Sequence, residues 1–169
     1  MTSQTFNVLV LCTGNSARSI LAEALINHLA GRAGMAVRAW SAGSRPKENP
    51  HPAALETLKA HGIPIDGLRS KSWDEFALSS APPMDVVITV CDNAAGEVCP
   101  VWPGGPAKVH WGLPDPAAVA GPAEAVCAAF EDTFNALSPR VEQLLKIARP
   151  GMERDVVQSR LQQVHSGAA

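Results

Sequence analysis

The sequence predicts an α/β fold with three layers, in which a four-stranded parallel sheet carries helices on both faces. Strand-like and helix-like segments alternate along the chain, which is typical of parallel sheets. The strand-like segments are continuously apolar, as expected for strands that are covered on both sides. With 169 residues, the chain is long enough for one sizeable core and too short for two ordinary domains.

Four apolar segments predict the strands, at residues 8–11, 35–40, 85–91 and 108–111. Helical spacing of apolar residues predicts helices from about residue 16, at residues 53–61 and at residues 122–148. In the last of these, the pattern also allows Pro139 to restart the helix after a cap at Ser138. The alternation therefore yields the order strand, helix, strand, helix, strand, strand, helix.

Proline and glycine residues indicate where the predicted domain ends. Pro150 and Gly151 end the last apolar pattern, so we expect one domain over residues 1–149. Residues 150–169 carry only a weak apolar stripe, which predicts a weakly helical or disordered tail. Residues 92–106 are rich in Asn, Gly and Pro, and a loop this long is usually functional or disordered.

Charge and cysteine content narrow the class of protein. A net charge of −2 predicts no surface for polyanions, so nucleic acid is not an expected partner. Residues 1–7 lack the features of a signal peptide and no apolar run approaches a membrane span, so we expect a cytoplasmic protein without a membrane partner. Four cysteines in such a protein indicate reactive or buried thiols, and Cys127 fits a small hydrophobe beside the apolar stripe of the last helix.

The chemistry is concentrated in the loop between the first strand and the first helix. A thiol, five residues and an arginine can form a concave anion site, because successive backbone N–H groups and a helix N-terminus face the same point. Arg18 can hold two oxygens of a tetrahedral oxyanion, and this positive environment should lower the pKa of Cys12. The predicted oxyanion-binding residues are Thr13, Gly14, Asn15, Ser16, Ala17 and Arg18.

Other reactive side chains follow the remaining strands. Cys12, Ser41, Cys91 and Asp115 each lie at or just past a strand's carboxyl end, where open α/β sheets bind ligands. We expect the strand order 2-1-3-4, which is common in doubly wound α/β sheets. In that order the first and third strands are neighbours, about 4.7–4.9 Å apart. Cys12 and Cys91 are therefore placed to form a disulfide with little rearrangement.

These motifs together resemble a known family. They look like arsenate reductase of the low-molecular-weight protein tyrosine phosphatase fold, of the thioredoxin-coupled type. The resemblance rests on residues 12–19, Ser41-Ala42-Gly43, the pair Cys91 and Cys99, and residues 110–116. The match covers about residues 7–148. The resemblance implies that Cys12 is the nucleophile, Arg18 the oxyanion clamp and Asp115 the general acid.

The resemblance also implies a cascade of disulfides. Cys91 would attack the Cys12 sulfur and release arsenite, and Cys99 would then attack Cys91 and present the new disulfide to an external reductant. Thioredoxin is the expected reductant, with glutaredoxin or glutathione as alternatives.

Two other functions compete with this interpretation. A phosphomonoester or phosphotyrosine phosphatase would use the same loop and acid, but it needs one thiol where arsenate reduction needs a pair. Such phosphatases resemble one another in aromatic residues after the Asp-Pro pair, where this chain has Ala117 and Ala118. A non-catalytic oxyanion sensor would have no use for Asp115.

The chain departs from the family pattern at two places. Ala17 stands where related reductases often have cysteine. Some members bind potassium through four residues, of which Asn15, Glu23 and Ser41 match here while Trp73 takes the fourth position. We therefore expect no metal and no cofactor. Ser19, Ser41 and Glu23 are expected to support the loop by hydrogen bonding.

Overall fold

The computed structural model describes residues 4–91, 102 and 105–167. Its strands are β1 (Phe6–Leu11), β2 (Val37–Ala42), β3 (Val86–Thr89) and β4 (Ala107–His110). Its α-helices are α1 (Arg18–Arg32), α2 (Pro52–Ala60), α3 (Ala123–Ile147) and α4 (Arg154–Gly167). Two 3-10 turns occupy Trp73–Phe76 and Pro116–Ala118. Most of the predicted loop at 92–106, including Cys99, lies outside the described residues.

The four strands form one parallel sheet in the order β2-β1-β3-β4. Both the predicted fold class and the predicted strand order are confirmed. Leu11, the last residue of β1, lies opposite Ala42 on one side and Thr89 on the other. The residues that follow these three strands are thereby gathered at one edge of the sheet.

The alternation of side chains along β1 divides the core in two. Val8 and Val10 belong to a large buried cluster that includes residues of all four α-helices. Leu9 and Leu11 face the opposite way and join a smaller cluster with the turn Trp73–Phe76 and with Trp102. Both faces of the sheet are therefore covered, and the central strand is buried on each side.

Each outer strand of the sheet is hydrogen-bonded by a side-chain carboxamide. Asn27 of α1 accepts from the N–H of Ala39 at 2.8 Å and donates to its carbonyl at 2.9 Å. Gln162 of α4 accepts from the N–H of His110 at 2.9 Å and donates to its carbonyl at 2.9 Å. One residue on β2 and one on β4 thus have both backbone polar groups satisfied from a helix.

The helix α3 runs without interruption through Pro139, so the restart that the sequence pattern allows is not found. A proline removes one backbone hydrogen bond from a helix interior. In the turn before it, the guanidinium of Arg140 donates to the carbonyl of Ala136 at 2.6 Å. The apolar stripe of α3, with Phe130, Leu137 and Leu144 fully buried, holds both halves against the core. Within the described part of the chain, no helix combines the length and apolarity required to cross a membrane.

The C-terminal segment differs from the weakly helical or disordered tail expected for residues 150–169. Residues Arg154–Gly167 form α4, and its Val157 and Leu161 are buried in the large core cluster. The indole N–H of Trp111 donates to the carbonyl of Leu161 at 2.9 Å. Packing on β4 and α3 supplies the stability that the weak apolar stripe does not predict.

Candidate active site

The loop at residues 12–17 connects β1 to α1 at the centre of the sheet edge. Cys12 is buried directly after β1, and Ala17 at the N-cap of α1 has no side chain that could cap the helix. Asn15 adopts the left-handed conformation with a φ of 44°, which asparagine tolerates better than most residues. The amide groups at this helix start are therefore available to an anion.

The segment at residues 43–51 braces the outside of the loop. Carbonyl oxygens of the loop accept backbone N–H groups in three pairs, which are Thr13 with Arg45 (2.9 Å), Gly14 with Lys47 (3.0 Å) and Ser16 with His51 (2.8 Å). In a trans peptide the N–H points away from the carbonyl. These bonds therefore turn the N–H groups of the same peptides away from the bracing segment.

Gly43 marks the point of closest approach between this segment and the loop. A Cβ at position 43 would lie 2.4 Å from the Thr13 oxygen and 2.7 Å from the Cys12 oxygen. Such distances are too short for any side chain, so the position requires glycine. The N–H of Gly43 donates to the carbonyl of Lys71 at 2.9 Å, which ties a third segment to the loop.

The structure brings two of the predicted reactive thiols together. The sulfur of Cys91 lies 3.3 Å from the backbone nitrogen of Thr13 and is hydrogen-bonded to the thiol of Cys12. This hydrogen bond and burial raise the pKa of Cys12, whereas Arg18 and the N–H of Gly14 lower it. Two adjacent thiols titrate as a pair, so the second proton is held tightly. The lowered pKa expected for Cys12 is therefore not found beside Cys91.

Arg18 and Asp115 lie at the open side of the loop. The guanidinium of Arg18 donates to the carbonyl of Leu113 at 2.9 Å, and another of its nitrogens lies 3.7 Å from the Asp115 carboxylate. The Nε of Arg18 is buried and has no hydrogen-bond partner among the described residues. Asp115 also caps the turn Pro116–Ala118 by accepting the N–H of Ala117 at 2.9 Å. A donor and an acid thus flank the place where an anion would sit.

A buried polar network supports the loop from behind. The side chain of Asn15 donates to the hydroxyls of Ser19 and Ser41, both at 2.9 Å. Ser41 donates in turn to the carboxylate of Glu23 at 2.5 Å. Each of the expected support residues takes part. Lys71, which sequence reasoning did not single out, also joins this network, since its N–H donates to the Asn15 side chain at 2.9 Å.

This arrangement suits one kind of reaction. A thiol beneath a row of amides, with an arginine and a carboxyl beside it, can attack the central atom of a tetrahedral oxyanion and form a covalent thiol adduct. The fold and the geometry of the site are thus those that suit an enzyme with a cysteine nucleophile. The sequence profile of the low molecular weight phosphotyrosine protein phosphatase family matches residues 7–157, and the chain belongs to that family.

Two curated relatives are both arsenate reductases. The chain is 34% identical over 134 residues to the arsenate reductase of Halalkalibacterium halodurans, covering 78% of this chain and 89% of that protein. It is 32% identical over 139 residues to the arsenate reductase of Bacillus subtilis, covering 82% and 94% respectively.

Solved structures with a similar fold include both reductases and phosphatases. An arsenate reductase in its phosphate-binding state aligns with a TM-score of 0.64 at 25% identity, covering 85% of this chain and all of that one. A low molecular weight protein tyrosine phosphatase from T. tengcongensis aligns with a TM-score of 0.63 at 25% identity, with the same coverage. A thioredoxin-dependent arsenate reductase of Corynebacterium glutamicum aligns at 0.55 and 29% identity, covering 84% of this chain and 64% of that one.

Proposed function

We propose that this protein reduces arsenate to arsenite, as part of arsenic detoxification, through a Cys12–arsenate adduct and a disulfide cascade. The observation that carries the proposal is the contact between two thiols beside the anion loop. Cys12 lies beneath the loop, and Cys91 is hydrogen-bonded both to Cys12 and to the loop amide of Thr13. Reducing arsenic from the +5 to the +3 state takes two electrons, which such a thiol pair supplies.

The reaction begins with arsenate held by the loop amides and by Arg18. The Cys12 thiolate attacks arsenic, a sulfur–arsenic bond forms, and one arsenic–oxygen bond breaks. The leaving hydroxyl takes a proton from Asp115 and departs as water. The buried Nε of Arg18, which lacks a partner among the described residues, provides a further donor for the oxyanion.

The second step transfers the electrons. The Cys91 thiolate attacks the Cys12 sulfur, a disulfide forms, and the electron pair of the sulfur–arsenic bond stays on arsenic, which leaves as arsenite. Both thiols are oxidised and arsenic is reduced by two electrons, so the step balances. The contact between the two sulfurs in the free protein supports an attack that needs little movement.

Cys99 is proposed to carry the oxidation to the surface. Its thiolate would attack the Cys91 sulfur, release the Cys12 thiolate and leave a Cys91–Cys99 disulfide. Cys91 is buried, so a protein reductant needs such a relay. We propose thioredoxin as that reductant, with glutaredoxin or glutathione as the alternative. The thioredoxin dependence of the similar reductase from Corynebacterium glutamicum supports this choice.

A phosphomonoester or phosphotyrosine phosphatase is the second candidate. Its support is the family itself and the position of Asp115 beside Arg18, 3.7 Å away, where an acid could protonate a leaving alcohol. The thiol pair favours the reductase, because hydrolysis of a phosphocysteine uses only Cys12.

The deciding experiment couples NADPH oxidation to arsenate reduction with thioredoxin and thioredoxin reductase, and repeats it with glutaredoxin and glutathione. Wild-type protein and Cys127→Ser, which changes an exposed thiol on α3, should turn over alike. Cys12→Ser and Cys91→Ser should be inactive, and Cys99→Ser should release one arsenite and then stop with thioredoxin. Efficient hydrolysis of p-nitrophenyl phosphate without arsenate turnover in any system would establish the phosphatase instead.

A further inference from the structure

The polar network behind the anion loop contains a buried lysine. Lys71 is 7% exposed, which is unusual for a lysine without a specific partner. Its ammonium donates to the carbonyl of Arg69 at 2.9 Å and lies 3.6 Å from the carboxylate of Glu23. Burial lowers the pKa of Lys71, and the charge of Glu23 opposes this by raising it. The ammonium and the carboxylate are therefore a charge pair at the base of the loop.

The backbone of Lys71 also holds the loop. Its N–H donates to the side-chain oxygen of Asn15 at 2.9 Å, and its carbonyl accepts the N–H of Gly43 at 2.9 Å. Asn15 is the residue with a φ of 44°, whose side-chain nitrogen reaches Ser41 at 2.9 Å. Because Ser41 donates to Glu23, a continuous chain of contacts leads from the Lys71 ammonium to the strained turn of the loop.

Asn15, Glu23 and Ser41 match three of the four potassium-binding positions of related reductases, so their fit to a cation can be tested. The side-chain oxygen of Asn15 already accepts the backbone N–H of Lys71. One oxygen of Glu23 already accepts the hydroxyl of Ser41 and also faces the Lys71 ammonium. Trp73, at the fourth position, is buried in the smaller core cluster and packs edge-on against Trp102. A potassium ion beside Glu23 would lie against a second positive charge. The residues do not fit a bound potassium ion.

We propose that the Lys71 ammonium is a built-in cation that takes the place of a monovalent metal ion and holds the anion loop in its binding conformation. Lys71 is a positioning residue: it balances the charge of Glu23, which orients Ser41, which in turn accepts from Asn15. The inference deepens the proposed function and rests on its anion loop. It follows that oxyanion binding by this protein is independent of potassium.

The surroundings of the pair make the proposal testable. A groove of about 870 Å³ opens between α1, the outer strand β2 and residues 64–82, and both Glu23 and Lys71 line it. A small cation from solvent can enter through this groove when the lysine is shortened. Lys71→Ala empties the space, whereas Lys71→Met fills most of it without a charge.

The experiment measures how well inorganic phosphate protects Cys12 from alkylation by iodoacetamide, at constant ionic strength in choline, potassium or methylammonium chloride. Wild type should give the same protection constant in all three salts. In choline, Lys71→Ala should need about tenfold more phosphate or worse, because it leaves a buried charge without a partner. Potassium or methylammonium should restore binding in Lys71→Ala and not in Lys71→Met. Lys59→Ala, an exposed lysine of α2, is the control and should match wild type.

Three results would overturn the inference: phosphate protection in the wild type that depends on potassium, unchanged phosphate protection in Lys71→Ala, or a folded Lys71→Ala whose phosphate protection no cation restores.

Circular dichroism monitors the folding of each variant. If Lys71→Ala does not fold, the double variant Glu23→Gln with Lys71→Met is used, because it removes both charges together. It should bind phosphate better than Lys71→Met alone, and equal or weaker binding refutes the charge pairing. Phosphate protection is independent of arsenate turnover, so failure of the proposed reductase leaves this test intact.

Discussion

The backbone N–H of Thr13 donates a hydrogen bond to the sulfur of Cys91 across 3.3 Å. This donor belongs to the anion loop, so the second thiol is held by the same backbone that would hold the substrate. Cys91 is also the largest cause of the raised pKa of Cys12. The two cysteines are therefore coupled before any oxyanion arrives.

Replacing Cys91 with alanine should lower the pKa of Cys12. The hydrogen bond and the competing charge of Cys91 disappear, while Arg18 and the N–H of Gly14 continue to favour the thiolate. The measurement is the rate of alkylation of Cys12 by iodoacetamide against pH, with the modified peptide identified by mass spectrometry. The inflection should move to lower pH than in wild type, and Cys127→Ser should leave it where it is. An unchanged or higher inflection would contradict the coupling.

Replacing Asp115 with asparagine should slow formation of the arsenic adduct and leave oxyanion binding nearly intact. The carboxyl lies beside Arg18 at the mouth of the loop, 42% exposed, where it can give a proton to a leaving oxygen. Loss of a general acid costs about 10²–10⁴-fold in rate. Single-turnover mixing with arsenate reports the rate, and phosphate protection of Cys12 reports binding. Equal single-turnover rates would remove Asp115 from the mechanism.

Replacing Gly43 with alanine should destabilise the fold and impair the loop. The added carbon would lie 2.4 Å from the Thr13 oxygen, so the loop or the bracing segment must shift, at a cost of about 1–3 kcal/mol. Gly31→Ala is the matched control, because Gly31 lies in α1 and an added Cβ would meet no atom within 4 Å apart from its chain neighbours and the backbone of its own helix. That change should stabilise the protein by about 0.5–1 kcal/mol. Urea unfolding compares the two, and equal stabilities would refute the close contact.

The raised pKa of Asp85 leads us to expect that the stability of the protein depends on pH. Its carboxylate accepts the N–H of Asn7 at 2.7 Å, but burial raises the pKa of Asp85 above its ordinary value. The folded state therefore holds this proton more tightly than the unfolded state. This contribution to stability is present at pH values below the ordinary pKa of aspartate, about 3.9, and is lost as the pH rises through the raised pKa.

Asp85→Asn keeps an oxygen that can accept the backbone N–H of Asn7 and removes the half-buried charge. The variant should be more stable than wild type at pH 7, and the difference should vanish near pH 3. Urea unfolding at both pH values measures the difference. A less stable variant at pH 7 would mean that the carboxylate is net favourable.

The parts of the structure that depend on local signals could be predicted from the sequence. The apolar strands and the loop at residues 12–18 follow from patterns within a few residues, whereas the strand order follows from the topology that is common in folds of this class. The missed features depend on distant partners. The contact of Lys71 with Asn15 spans 56 positions, and that of His110 with Gln162, which anchors α4, spans 52. The raised pKa of Cys12 likewise arises from Cys91, since charge and amides near Cys12 in the sequence predict the opposite direction.

The two carboxamides on the outer strands bear on how this protein behaves at high concentration. An exposed strand edge is a template on which a second chain can add a strand of its own. Asn27 and Gln162 each imitate one residue of such a strand, accepting and donating at Ala39 and His110. An incoming strand would have to exchange bonds already made for bonds of the same kind, and gain nothing at these points. The two outer strands are thus each satisfied by a side chain at one residue, which disfavours strand addition at these two points.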